Sequence, residues 1–318
     1  MKCKSPISVK TVGGLVPCGQ CLPCRFNRRR EKTFRLMLEF MTAEEGCWVT
    51  LTYNDKFLRK VYFDEQNQRY YQDGSGQGLS TLCPDDTRLF IMRLRKRLGS
   101  RKIRYFLCGE YGERGFRPHY HVCLFGIGEN YRDVIQEAWR DPETKESLGH
   151  VCVGSLTQYS LQYTCGYVVK KLTKRDDERL EGLYPEFPRS SIGMGRASIE
   201  KIAKALNCKS ADYYYLTMDD IPRSFNAFGK SWPMDRYVRS KVLQMLKRFD
   251  DATEKGKARF DKEMQRMSVR AQTALAGKSI YPSQDALLRL QYQAENAQLV
   301  KNSESRALLF MKAKEKLL

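Results

Sequence analysis

The sequence predicts an α+β fold built on an antiparallel sheet, in the split strand–helix–strand–strand–helix–strand pattern of ferredoxin-like domains. Three observations carry this. Residues 47–53 alternate in the manner of a half-buried strand. Two runs rich in aromatic and β-branched residues, 104–112 and 117–125, are separated by a short segment containing Gly115, as in a hairpin. Segments of helical period, 84–98 and 131–140, stand before and after that hairpin. Such an order places the helices on one face of the sheet.

The 318 residues suffice for a large domain or for a catalytic domain with an appendage, and 42% hydrophobic residues are ample for a core. The formal net charge of +19 destabilises a compact fold unless a partner offsets it. It points to a polyanion, most simply nucleic acid. No apolar run approaches the ~20 residues of a membrane span, and the first residues are too polar and cysteine-rich for a signal peptide. The expectation is a cytosolic protein without a membrane partner, in which eleven cysteines are not a disulfide framework.

The first element is a cysteine cluster. Cys3 precedes Cys18, Cys21 and Cys24, with Pro17, Gly19 and Pro23 enforcing turns. Three thiols at two-residue gaps with a fourth nearby match a structural zinc site, although an iron–sulfur cluster or no metal at all fits the same residues. The other cysteines (Cys47, Cys83, Cys108, Cys123, Cys152, Cys165 and Cys208) are scattered and read as small buried apolar residues. A basic run follows and leads into a helix over residues 33–41. Arg25, Arg28 and Arg29 can share a face and contact DNA phosphates, as a solvated basic helix start also could. Cations at that end oppose the helix dipole, which favours a functional reason.

In the first core strand Val49, Leu51 and Tyr53 are assigned to the core, and Trp48, Thr50 and Thr52 to the opposite, functional face. Residues 61–63 and 69–71 read as an inserted hairpin followed by a glycine-rich loop. Pro84 opens a helix that Gly99 ends; Phe90, Ile91, Leu94 and Leu98 form its apolar stripe, and Arg88, Arg93, Lys96 and Arg97 lie outside it. In the next hairpin, His119 and His121 project to one side and Tyr120 to the other. Two imidazoles on one strand face make half of a metal site; hydrogen-bonded histidines on a half-buried strand would give the same pattern. A turn near Gly115 sets Glu110 opposite His119, with Glu113 the second choice. That mixed nitrogen–oxygen set, with open positions, suits Mg²⁺ or Mn²⁺ acting as a Lewis acid. His150, at the start of a further strand, reads as structural or exposed.

After that strand comes a helix, from about Ser160, on which Tyr163, Tyr167 and Lys170 fall within an arc of roughly 60°. Read alone, this is an amphipathic helix with buried tyrosines. Beside a metal it has a chemical meaning: a tyrosine can attack a phosphodiester, and a lysine can stabilise charge on the phosphate or lower the phenol's pKa. Residues 199–206 suggest a short helix and 213–216 a strand. From about Asp235 the chain reads as long charged helices. Tyr237, Val238, Val242, Met245, Leu246 and Phe249 form one stripe, and Ser283 caps a last helix containing Leu288, Tyr292, Leu299, Leu308 and Phe310.

His119-Tyr120-His121 followed by Tyr163, Tyr167 and Lys170 resembles the HUH endonuclease superfamily, in its two-tyrosine replication-initiator branch. Residues 48–53 resemble that family's first motif. The middle Tyr120 departs from the usual aliphatic residue. The order of segments, with the cysteine run, is similar to replication initiators of microvirus-type single-stranded DNA phages, gokushovirus-like ones in particular, over roughly residues 1–230. The resemblance implies a ferredoxin-like (RRM-like) HUH domain over residues 46–232. A cysteine-rich, zinc-binding element with a basic helix would occupy 1–45, and a charged helical appendage 233–318. It implies rolling-circle initiation in the host-cell cytoplasm: nicking and rejoining of single-stranded origin DNA through a 5′-phosphotyrosine link and a free 3′-OH. Tyr163, Tyr167 and Lys170 would be catalytic, with Mg²⁺ or Mn²⁺ on His119, His121 and Glu110. Arg25, Arg28, Arg29, Thr50, Thr52 and Lys171 would contact DNA. A host polymerase would extend the primer, and a host helicase is expected because no P-loop is present. A transposase or relaxase would use the same chemistry. A zinc-stabilised DNA-binding protein without cleavage activity would explain the charge and the cysteines alone.

Overall fold

The computed structural model describes residues 1–9, 11–12, 14–64, 69–73, 78–112, 115–166, 180, 182–207, 221–227, 229–275 and 283–315. Strands β1 (Ile7–Val9) and β2 (Gly14–Val16) lead into helix α1 (Leu22–Phe40) and strand β3 (Gly46–Leu51). Strands β4 (Lys60–Asp64), β5 (Arg69–Asp73) and β6 (Leu79–Ser80) form the inserted sheet expected near residue 60. Then come α2 (Pro84–Leu98), β7 (Arg104–Tyr111), β8 (Pro118–Phe125), α3 (Arg132–Ala138), β9 (Val151–Ser155) and α4 (Gln158–Gly166). The remaining elements are β10 (Phe187–Ser190), α5 (Arg196–Leu206), β11 (Ser224–Ala227), β12 (Lys230–Pro233), α6 (Arg236–Met245), α7 (Phe249–Leu275) and α8 (Gln284–Glu315). The chain divides into two compact units, one of Lys32–Ser198 and one of Met1–Glu31 with Ile199–Leu318.

The first unit holds a five-stranded antiparallel sheet in the order β10-β7-β8-β3-β9. Period-two alternation decides which side chains go to which face. Val49, Leu51 and Tyr53 join Tyr120, Val122 and Leu124 on one side, where Phe90, Ile91 and Leu94 of α2 and Ile135 and Trp139 around α3 cover them. Fully burying a Leu, Ile or Phe side chain there contributes roughly 2 kcal/mol. Helix α2 begins at Pro84 and is capped by Gly99 as its sequence signals require.

The expectation of helices on one face is corrected. Helix α4 packs on β7 and β8 from the other side, because that side is apolar too. Cys123 is fully buried on it, and Leu161, Thr164 and Cys165 of α4 are fully buried against the sheet. The order of elements cannot reveal this; it follows from the pairing of two buried faces.

Smaller corrections have physical causes. The cysteine-adjacent basic run lies inside α1, which starts at Leu22. Cys152 is exposed, because it faces outward on the edge strand β9, whereas Cys47, Cys83, Cys108, Cys123 and Cys165 are buried as expected. The stripe expected from Tyr237 to Phe249 is broken where α6 ends at Met245, which is itself exposed. Leu299 and Leu308 of α8 are about half exposed. The strand expected at 213–216 and Cys208 lie outside the described residues. No helix among the described residues is long and apolar enough to cross a membrane.

Candidate metal and nucleophile site

The β7–β8 pairing sets Glu110 directly opposite His119 and Cys108 opposite His121. One carboxylate therefore sits between two imidazoles that share its face. Glu110 is 3% exposed and His121 5% exposed, so both have left bulk water. His119 Nε2 lies 2.7 Å from Glu110 Oε1, and His121 Nε2 lies 3.4 Å from the same oxygen. One potential ligand atom from each of the three residues falls within 4.8 Å of the others, a spacing that could hold a metal ion.

The outer nitrogens decide which atoms face inward. His119 Nδ1 is 3.1 Å from the carbonyl oxygen of Arg117, an acceptor, so Nδ1 carries the hydrogen. In the neutral ring, Nε2 is then a lone pair aimed at a carboxylate, and the two are held together by a shared proton or a cation. Thr50 Oγ1 stands 3.1 Å from His121 Nδ1, and by accepting its hydrogen it frees His121 Nε2 in the same way.

Aromatic contacts fix the second imidazole. Trp48 stacks on His121, with ring centroids 5.1 Å apart and planes 10° from parallel. The Tyr163 ring meets His121 edge-on at 5.4 Å and Trp48 at 5.8 Å. Helix α4 is docked at this point through Thr164. The Trp48 indole donates to Thr164 Oγ1 at 3.0 Å, and that hydroxyl donates to the Ser160 carbonyl at 2.8 Å. The Cys108 thiol reaches the Thr164 carbonyl at 3.5 Å. The docking brings Tyr163 to the metal-ligand face.

The opposite side of β8 carries a buried polar network that sequence reasoning missed. Tyr120 accepts from the Cys83 amide at 2.8 Å and lies 3.0 Å from the Tyr53 hydroxyl, which donates to Asp86 at 2.7 Å. Arg59 grips Asp86 with two hydrogen bonds of 2.9 Å. Burial pushes the phenols of Tyr53 and Tyr120 well above their ordinary pKa, so both stay neutral donors. This is why a tyrosine can stand between the two histidines: its hydroxyl has a complete set of partners, and its anchoring fixes the strand segment that aims His119 and His121.

Of the other expected site residues, Thr52 is not brought into this group; its hydroxyl donates to the His150 carbonyl at 3.1 Å. His150 is exposed, as expected. Arg25, Arg28 and Arg29 lie on the first half of α1, where Arg29 also covers the Phe26 ring at 5.6 Å. Tyr167, Lys170, Lys171 and Glu113 lie outside the described residues. Trp48 was placed on the correct face by alternation. Nothing in the sequence distinguishes Thr164 as its partner.

In the other unit Cys3, Cys18, Cys21 and Cys24 come together, each sulfur within 4.8 Å of the rest, in an arrangement that could hold a metal ion. Backbone amides point at these sulfurs: Gln20 and Cys21 donate to Cys18, Cys18 to Cys3, and Lys4 to Cys21, at 3.3–3.4 Å. Gly19, with φ of 73°, allows the tight turn between Cys18 and Cys21. Burial pushes the Cys18 thiol up, but the Cys21 and Gln20 amides and the neighbouring thiols outweigh it and bring it down to about 7.

Residues 46–176, less than half of the chain, match the family model of the phage replication-associated protein ORF2. The chain is 32% identical over 196 residues to "Replication-associated protein ORF2" of Spiroplasma virus 4, covering 58% of this chain and 57% of that protein. It is 29% identical over 187 residues to "Replication-associated protein VP4" of Bdellovibrio phage phiMH2K, covering 54% and 53%. To "Replication-associated protein ORF4" of Chlamydia phage 1 it is 26% identical over 178 residues, covering 51% and 40%. The chain thus spans about half the length of the curated relatives it matches. No solved structure matches it significantly. The resemblance to gokushovirus-like replication initiators read from the motifs holds.

Proposed function

From this kinship with phage replication-associated proteins, we propose that the chain is a rolling-circle replication initiator that nicks and rejoins single-stranded origin DNA. The observation that carries the reading is the meeting of Glu110, His119 and His121 with Tyr163, delivered by α4 from outside the hairpin. The strand order β7-β8-β3-β9 with its intervening helices supports the ferredoxin-like HUH assignment, and we place the catalytic region within residues 46–232.

The donor set fits a divalent cation. Two neutral imidazoles and one carboxylate suit Mg²⁺ or Mn²⁺ with positions left for DNA oxygen. Bound there, the ion would act as a Lewis acid on the scissile phosphate. Thr50, the Arg117 carbonyl and Trp48 hold the imidazoles in the orientation that holding it requires. The Tyr163 oxygen attacks phosphorus; its bond to phosphorus forms as the bond from phosphorus to the 3′ oxygen breaks. The phenol loses a proton and the departing 3′ oxygen gains one, leaving a 5′-phosphotyrosine and a free 3′-OH. Tyr167 is proposed as the second nucleophile, which would rejoin the ends after a round of synthesis, and Lys170 as the cation that stabilises phosphate charge.

Binding of the origin strand would be largely by phosphate contacts, as the +19 charge favours. Arg25, Arg28, Arg29, Thr50, Thr52 and Lys171 are the proposed contacts. A host polymerase would extend the 3′-OH and a host helicase would open the duplex, in the host cytoplasm. The four clustered thiols suit a structural Zn²⁺. They also favour a second reading, a zinc-stabilised DNA-binding protein without cleavage activity.

The test uses purified protein, labelled single-stranded DNA from its own replicon and Mn²⁺, with denaturing gels to catch an adduct. Tyr163→Phe, Tyr167→Phe, the double variant and His121→Ala run alongside. An EDTA-sensitive adduct lost in the double variant and in His121→Ala is the expected result. Tight binding without an adduct on any origin-containing strand would leave the second reading in its place.

A further inference from the structure

We infer that the ion held by Cys3, Cys18, Cys21 and Cys24 is a clasp on which the order of helices α7 and α8 depends; the inference rests on reading the thiol cluster as a structural zinc site. Cys3 and Cys18 stand at the two ends of the β1–β2 hairpin, 15 residues apart. Strands of three residues are marginal by themselves. Joining their outer ends through one ion removes the freedom of the closed loop from the unfolded chain.

This hairpin is what both helices rest on. A Cβ added to Gly14 would meet Met264 at 2.6 Å and the Phe260 ring at 2.8 Å, so β2 lies directly on α7. Leu15 is buried with Met267 of α7 and Leu288 of α8. Ser8 Oγ donates to Asp285 Oδ1 at 2.8 Å.

Helix α8 leans on the ligand segment itself. The Cys3 carbonyl accepts from the Tyr292 hydroxyl at 3.1 Å, and the Lys2 amide donates to Ser303 Oγ at 2.9 Å. Its buried stripe is short of apolar area: beyond Leu288 it continues through Asn296, Ser303 and Ala307, whereas Leu290 and Leu299 face outward. A stripe of that kind is held by hydrogen bonds to a fixed backbone more than by burial, and the backbone it meets is fixed by Cys3. The ion pairs between α7 and α8, Arg266 and Arg270 with Glu295, are exposed and contribute little.

The test is hydrogen exchange by mass spectrometry on the full chain, at constant Mg²⁺, for wild type, Cys21→Ser and Tyr292→Phe, with zinc content measured on each. Wild type is expected to carry thiol-bound zinc. Cys21→Ser is expected to lose it and to exchange at least 10-fold faster in segments of α7 and α8, with β7 and β8 unchanged. Tyr292→Phe is expected to keep its zinc and to loosen α8 alone. Zinc loss without faster exchange in α7 and α8 would overturn the clasp and leave the zinc site standing, as would faster exchange spread equally over β7 and β8. Wild type prepared with zinc but carrying none on its thiols would overturn both.

Discussion

The Thr50 hydroxyl and His121 Nδ1 are 3.1 Å apart across the β3–β8 pairing, and this contact decides which nitrogen of His121 faces Glu110. Removing it while keeping the shape isolates its effect. Thr50→Val is expected to weaken Mn²⁺ binding roughly 10- to 100-fold, the usual effect of losing the partner that orients a ligand. Thr50→Ser should restore it. Titration calorimetry on both variants makes the comparison, and equal affinity in wild type and Thr50→Val would show that Thr50 only packs.

Glu110 Oε1 faces both imidazoles, so its charge should matter more than its shape. Glu110→Gln keeps the volume and removes the negative charge. Mn²⁺ binding and the covalent adduct should both fall below detection, with affinity for single-stranded DNA unchanged because phosphate contacts lie elsewhere. The pairing of a metal titration with a DNA-binding assay on the same preparation separates loss of the ion from loss of the fold. An adduct at wild-type yield would remove Glu110 from the proposed ligand set.

Tyr120→Phe leaves the buried ring in place and takes away the hydroxyl that accepts from the Cys83 amide and touches Tyr53. Leaving buried polar groups unpaired costs about 1–3 kcal/mol, and urea unfolding should show a loss in that range. Because Tyr120 sits between the two histidines, Mn²⁺ affinity should also fall. A stability loss with unchanged metal affinity would confine the network to the core.

The parts of this arrangement that were legible in the sequence are those governed by local periodicity. Alternation along β8 gives the opposed directions of Tyr120 and the two histidines, and a turn near Gly115 gives the Glu110–His119 register. The side of the sheet that α4 occupies was not legible, since strands buried on both faces read the same from either side. The partners of Asp86 were hidden for a related reason. Beside Pro84 and Asp85 it reads as an ordinary first-turn carboxylate, and its role depends on Arg59 and Tyr53, which are distant in sequence. The outward leucines of α8 were misread because a long helix with apolar residues on several sides leaves open which side is covered.

Thr164 is where α4 is held to the sheet, and its hydroxyl has two tasks: it accepts from the Trp48 indole and donates to the Ser160 carbonyl. Thr164→Val keeps the branched shape but strands the indole N–H in a site where Thr164 itself is fully buried. The destabilisation should be about 1–3 kcal/mol. The larger consequence is positional. Trp48 stacks on His121 and meets Tyr163 edge-on, so an indole that turns away to find another acceptor disturbs the nucleophile and a metal ligand together. Misplacement on the scale of 1 Å at a reacting group lowers rates about 100-fold. Adduct formation by Thr164→Val should therefore slow by roughly that factor, at unchanged affinity for DNA, and Thr164→Ser, which retains the hydroxyl, should recover most of it. Single-turnover kinetics on the labelled origin strand would read both rates. A Thr164→Val variant that is destabilised but cleaves at the wild-type rate would mean that α4 is docked by its apolar contacts and that Tyr163 reaches the site without Trp48.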